Sequence, residues 1–405
     1  MSDPLTLALD VSAVPSRPGG AGYYTMQLVR SLAPRADVEL TLIARRGDDT
    51  RWRDLGGPSV SVRAAVPPAR PVRIAFEQVG VPTLLRSAGV RLHHGPHYTM
   101  PARAPVPCVV TVHDCTFFDH PEWHLRTKAA FFRQAIRYAA RRAASIVCVS
   151  QTTADRLDAV CEVRAPVVVA PHGVDHTRFA PAEPAPGADR SSLEALGLPA
   201  ERPLVVFIGT LEPRKGIVPL IAAFDRVADA HVDALLVLGG QPGWGMDQTD
   251  RALAAARHGD RIVQTGYLPD DAVPALLRRA AVVAYPALEE GFGLPALEAL
   301  ACGAPLVTTE GTAMAEFARD SALLVSPGDE RALADAIDAV LDGGARPHSP
   351  PTSDVRRAPV QGRAERLWHR HRARRRSRRR GRARPPATPG GPNPARTPPW
   401  RFPRS

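Results

Sequence analysis

A chain of 405 residues is long enough for two or three domains with ample core, and no apolar run in it has the length needed to span a bilayer. Its five cysteines (Cys108, Cys115, Cys148, Cys161, Cys302) form no CxxC pair, and four lie in or beside apolar runs, which excludes a disulfide scaffold and points to reduced thiols in the cytoplasm. The net charge of +11 belongs to one end: after Gly343 there are eighteen arginines, no lysine and two acids, leaving the preceding residues at about −5.

Leu5–Val11 reads as a first strand, and Met1-Ser-Asp-Pro carries no basic n-region, so no signal peptide is expected. Gly19, Gly20 and Gly22 form a loop feeding a helix from Tyr23 to Leu32. Such a loop lets a ligand approach backbone closely, although a plain structural turn fits as well. Val38–Ala44 is a strand, 45–72 is loop-rich with Pro67 and Pro68, and 73–86 is helical. Val90–His94 begins a short strand into a loop carrying His97. His93, His94 and His97 have no carboxylate or cysteine at ligand spacing, so they read as surface or acceptor-side residues rather than a metal cluster.

Pro107–Val112 is a strand ending at His113-Asp114. A histidine there points into the crevice and can hydrogen-bond a sugar hydroxyl, or it is a partly buried structural residue. Asp114 suits an orienting role. Residues 126–144 form a basic amphipathic helix with Phe131, Ala135, Tyr138 and Arg142 at three- and four-residue steps. It either touches an anionic membrane or presents a solvated basic face. Ile146–Ser150 and Val167–Ala170 are further strands, and the first domain closes at about residue 179.

Residues 180–202, rich in Pro and Ala, read as a linker. From 203 to 342 strands alternate with helices: Leu204–Gly209, Leu235–Gly239, Arg261–Gln264, Ala281–Tyr285, Pro305–Thr308 and Leu323–Val325. That alternation predicts a doubly wound parallel sheet. The loop after Gly209 presents Arg214 and Lys215, a fork and a point charge suited to phosphate oxygens, or two solvated cations. The QPGWG turn at 241–245 is expected beside a base or phosphates.

The loop after Tyr285 delivers Glu290 and free amides to a helix starting at Pro295 and stopping near Gly303, a ready anion site. Glu298 follows in the first turn. Two carboxylates beside phosphate-binding amides suit a nucleotide-sugar, whose hydroxyls and diphosphate need both. The plainer alternative is that Glu298 complements the helix dipole and Glu290 is solvated. Residues 343–405, with eighteen Arg and twelve Pro, are expected to be a disordered basic tail. Its Arg, Pro and Gly content is also what a GC-rich gene yields when read in a shifted frame.

Taken together, EGFGLPALEALACGAPLV with its E-x7-E at Glu290 and Glu298, GTLEPRKG at 209–216, GYLPDD at 266–271, PHGVD at 171–175, VTVHD at 110–114 and GGAGYYTMQLVRSL at 19–32 resemble the retaining glycosyltransferases of family 4. The resemblance implies α/β GT-B architecture, with two Rossmann-like doubly wound domains facing a cleft. It also implies transfer of a sugar, mannose among the candidates, with retention from a nucleotide-diphosphate-sugar to a glycan or lipid-linked acceptor in cell-envelope synthesis. In that frame Glu290 and His113 contact the donor sugar, and Arg214 and Lys215 neutralise the diphosphate. Glu298 holds the ribose, and Gly20, Gly209, Gly291, Phe292, Gly293 and Leu294 border the donor. With no D-x-D in the chain, neither a metal nor another cofactor is expected. The site would be cytoplasmic, at the inner face of the plasma membrane, with peripheral contact to anionic lipid. A GT-B sugar-nucleotide epimerase is the alternative enzyme. Binding nucleic acid through the tail ranks lower, because no aromatics interleave its arginines. The family continues with helices that close the second domain, and this sequence does not.

Overall fold

Runs of Leu, Val and Ile too short for helices become strands buried on both faces, as parallel sheets require. The computed structural model describes residues 3–343 and builds two such sheets from them; the tail lies outside the described residues. The first contains β1 (Leu5–Asp10), β2 (Val38–Arg45), β3 (Ser61–Val66), β4 (Leu92–Gly95), β5 (Cys108–Val112), β6 (Ser145–Cys148) and β7 (Val167–Val169), in the order β3-β2-β1-β4-β5-β6-β7. The second contains β8 (Leu204–Ile208), β9 (Leu235–Gly239), β10 (Ile262–Gly266), β11 (Val282–Tyr285), β12 (Leu306–Thr309) and β13 (Leu323–Val325), in the order β10-β9-β8-β11-β12-β13. Every pairing is parallel.

Strand order reverses at β1/β4 in one sheet and at β8/β11 in the other. Chains leaving the carboxyl ends of such neighbours diverge to opposite faces and open a crevice. The loops carrying Arg214 and Lys215 follow β8, and the loop carrying Glu290 follows β11. Topology therefore brings together the residues that strand-end position had singled out.

Several expectations change. Residues 45–72 are not mainly loop: the helix Asp49–Gly56 buries Trp52 completely, and β3 forms the sheet edge. Their charged composition hid both. The 180–202 stretch carries the helix Ala188–Ala195, packed on the helix Ala272–Arg279 with a buried Asp189–Arg278 ion pair at 2.6 Å. The basic helix spans Arg126–Arg142 but buries Ala129, Phe132, Ile136, Ala139 and Ala140, so the stripe through Phe131 and Tyr138 lies beside its core face. His93 and His94 are buried β4 residues, not surface ones. The first helix starts at Gly20, three residues early. Among the described residues no helix is long and apolar enough to cross a membrane, and all five cysteines are free.

Candidate functional site

At the β8/β11 reversal, the backbone ties the two loops into one surface. Leu288 N–H donates to Arg214 O at 2.8 Å. Gly216, at φ 72°, sits where a Cβ would lie 2.1 Å from Pro286 O, so only glycine lets the loops meet. On this surface Lys215 is buried, donates to Tyr285 Oη at 3.0 Å and pairs with the Glu290 carboxylate. Arg214 reaches Glu290 at 3.4 Å and Glu212 at 2.7 Å. Burial alone would raise the Glu290 carboxyl, but Lys215 and Arg214 hold it below the usual carboxylate range. Burial lowers Lys215, helped by Arg214 and opposed by Glu290. The two cations thus rest on the site's own carboxylate.

The helix Leu294–Ala301 opens beside this cluster, capped by Gly293 at φ 90°. Among the described residues, no hydrogen bond is made by the N–H groups of Gly291, Phe292, Gly293 or Leu294. Amides left unspent at a helix start are of the kind that can bind an anion; Gly291, Phe292 and Gly293 are buried and Leu294 is half-buried. Glu298 follows, half-buried, and its carboxylate has no hydrogen-bond partner among the described residues. Burial raises its carboxyl to about 7, with Arg178 opposing and Asp270 adding. Gly209 lines the crevice, but its N–H is taken by Gly239 O at 2.8 Å. Gly20 is exposed, with open space where a side chain would go. Phe292 is buried against His172 and Phe317, at 4.6 and 5.2 Å between rings, so its side chain packs rather than lining open space.

Across from this surface His113 is buried at the end of β5. Its Nε2 lies 2.8 Å from Pro96 O, and a carbonyl only accepts, so Nε2 carries the proton and Nδ1 is left as acceptor. Burial keeps the ring neutral by pushing its pKa down. Tyr24 meets it edge-on at 5.2 Å and bonds Thr111 Oγ1 at 3.1 Å. His97 and His172, with ring centroids 5.9 and 6.2 Å from His113, are both pushed down to about 3, first by burial. Asp114 accepts from Thr116 N and Oγ1 at 3.2 and 2.8 Å, in keeping with an orienting role.

The two surfaces touch. A Cβ on Gly291 would lie 1.8 Å from His113 O. Gly291 O accepts from Ser150 Oγ at 2.8 Å and Thr153 Oγ1 at 3.2 Å, and Thr153 Oγ1 is also 3.2 Å from His113 O. Glu316 accepts from Gln151 N, Thr152 N and Thr152 Oγ1 at 2.9, 2.6 and 2.6 Å. Tyr23 Oη donates to Asp270 at 2.8 Å. Sequence reasoning named none of Tyr24, His172, Tyr285, Thr153 or Glu316 as functional, because each acts through a partner distant in the chain. Only Tyr285, the last residue of a buried strand, carried a signal that could have found it. The QPGWG turn places Trp244 6.1 Å from Trp123, in the wall of a cavity of about 460 Å³ beside Arg214. Among the described residues no group of His, Cys, Asp and Glu is arranged to hold a metal.

Comparison with known proteins agrees with this geometry. The profile described as Glycosyltransferase Family 4 matches residues 18–178, and that described as Glycosyl transferases group 1 matches residues 189–350. The chain is 29% identical over 246 residues to an O-antigen chain mannosyltransferase B from Escherichia coli, covering 60% of this chain and 63% of that one. It is 33% identical over 216 residues to a 2-deoxystreptamine glucosyltransferase from Streptomyces kanamyceticus, covering 52% and 54%. The match thus spans less than two thirds of either relative. The fold resembles that of Anabaena HepE in complex with UDP-glucose, with a TM-score of 0.71 at 19% identity over 91% of this chain and 100% of that one. Two profiles running in turn over two parallel sheets, from residue 18 to residue 350, make this chain a family 4 glycosyltransferase of GT-B architecture.

Proposed function

We propose that the protein moves a hexosyl group from a nucleotide-diphosphate-sugar to a hydroxyl of a glycan or lipid-linked acceptor, with retention of anomeric configuration. The observation that carries this reading is the meeting of Arg214, Lys215 and Glu290 beside four unspent amides at the start of the helix Leu294–Ala301. The diphosphate takes the two cations and the amides, so charge developing on the leaving oxygen is met as the C1–O bond breaks. Glu290, displaced from the cations, accepts from sugar hydroxyls. His113 Nδ1 accepts from another hydroxyl, and Glu298 accepts from the ribose. The acceptor oxygen attacks C1 from the face the diphosphate leaves, and its proton passes to the departing diphosphate. The cations do the work a bridging metal does elsewhere, so no metal takes part.

Mannose is the first sugar to test, because one relative is named a mannosyltransferase, and UDP-glucose is the second, because HepE is described with it. Catalysis at the cytoplasmic face of the plasma membrane, in polysaccharide or glycolipid synthesis, suits this substrate class. The test is nucleoside-diphosphate release from a donor panel, with NMR of the product's anomeric proton. Release from no donor removes the transferase reading, and an inverted product removes retention. EDTA should leave the rate unchanged, and Lys215→Ala should weaken nucleoside-diphosphate binding and turnover together. Loss of transfer on chelation, restored by magnesium, would refute the metal-free scheme.

A further inference from the structure

The cavity of about 460 Å³ beside Arg214 opens between the helices Arg70–Ser87 and Arg126–Arg142 and the loops after β8 and β9. Its charged lining sorts into two groups. Near the donor surface the charges are matched: Glu212 pairs with Arg214 at 2.7 Å, and Asp114 accepts from Thr116. Toward the helices they are not. The side chains of Arg70 and Lys128 line the cavity with no ion pair or hydrogen bond among the described residues, and the Phe117 ring lies 5.8 Å from Lys128. Arg73, one turn from Arg70, holds Ser12 O at 3.3 Å.

Four carboxyls line the cavity with these cations, and two of them, Asp114 and Glu212, favour charged Lys128. Asp10 already accepts from Ser12 N at 2.9 Å. Glu77 is buried, and burial first and Asp10 second push it up to about 8, so it is mostly uncharged at neutral pH. Burial and then Arg70 push Lys128 down against the opposing pull of Asp114 and Glu212, and burial first lowers Arg73, with Asp10 opposing and Arg45 and Arg70 adding. Like charges repelling in a half-buried wall are an arrangement that a bound anion relieves. Trp244 and Trp123, the latter stacked on His120 at 3.8 Å on one face, line the same cavity, and aromatic faces of this kind suit the apolar face of a sugar or polyol ring.

We propose that the acceptor bears an anionic phosphoryl group, and that Arg70, Arg73 and Lys128 bind this group while the ring carrying the attacking hydroxyl lies toward Trp123, Trp244 and Arg214. The inference rests on the transferase reading and deepens it by giving the acceptor's chemical class. A soluble sugar phosphate and the diphosphate of a lipid-linked glycan share this chemistry.

The test uses the full chain with its donor site filled by UDP or GDP, whichever binds. Calorimetry then follows glucose 6-phosphate and, separately, a polyprenyl diphosphate in neutral phosphatidylcholine vesicles, with glucose and plain vesicles as controls. The expected result is saturable binding of one or both phosphorylated probes, weakened roughly tenfold or more in Arg70→Gln/Lys128→Gln, with nucleoside-diphosphate affinity unchanged. Arg70→Gln alone, at an exposed position, should show part of the loss if the double variant folds poorly. Binding of only one probe assigns the soluble or the lipid-linked source. Binding of neither, equal binding of glucose and its phosphate, or no loss in the variants overturns the proposal. A chain that binds no nucleoside diphosphate at all fails earlier, at the transferase reading.

Discussion

Replacing Glu290 by Gln removes one negative charge from a cluster in which Lys215 and Arg214 both lean on it. Two effects follow, with opposite signs. The sugar loses a charged acceptor, worth about 1.5–3 kcal/mol, so turnover should fall roughly tenfold to a hundredfold. The freed cations should meanwhile bind nucleoside diphosphate more tightly, so steady-state kinetics should show a lower product inhibition constant beside the lower rate. Glu298 gives a pH signature. Its folded pKa of about 7 stands above the ordinary 4.5, so the folded state holds a proton that the unfolded chain releases between those values. Stability is then full below the ordinary carboxyl range and falls as pH rises toward 7. Glu298→Gln should raise the melting temperature at pH 8 and change it little at pH 4. The same variant should abolish the part of the rise in nucleotide affinity through pH 7 that belongs to this carboxylate, as calorimetry on both proteins would measure. Glu290, Arg214, Lys215 and His113 could be singled out as candidates from their places at the ends of buried strands, and the structure puts the first three in one cluster. Tyr24 and His172 were not, since their ring contacts with His113 exist only once the sheet has brought distant segments together.

The loop from Pro286 to Gly293 and the helix after it form the element on which the site depends. Its glycines set how close it can come: Gly291→Ala puts a methyl against a backbone oxygen that cannot turn aside. Overpacking of this kind costs about 1–3 kcal/mol, so a lower melting temperature and a sharp loss of transfer are expected together. An unchanged Gly291→Ala protein would mean that the loop does not press on His113 in solution. Elements with continuous apolar runs, such as β8 and β9, were read to within a residue or two. Those held by few apolar anchors were not. The helix Asp49–Gly56 offers Trp52 and Gly56 as buried residues amid charge, and the helix Ala188–Ala195 offers Leu193 and a buried ion pair. In the helix Arg126–Arg142, adjacent Phe131 and Phe132 leave the phase of the apolar stripe ambiguous until the neighbouring strands select Phe132.

At the scale of the molecule, alternating strands and helices predicted the doubly wound second sheet and the family resemblance supplied the pair, whereas the contacts between their crevices came only with tertiary structure. Glu316 holds the start of the helix Gln151–Val160 through three hydrogen bonds. Glu316→Ala should therefore raise the radius of gyration in small-angle scattering and raise the donor KM; an unchanged scattering curve would show that the clasp is dispensable. Thr153 has a different consequence. One hydroxyl lies within reach of both His113 O and Gly291 O, so it ties the two loops together, and in the proposed donor complex that tie would hold them as a unit around C1. Water reaches an activated donor when that unit parts too early. Thr153→Val should accordingly show its defect less in the rate of donor consumption than in its fidelity, with a larger share of each turnover ending as free sugar instead of extended acceptor.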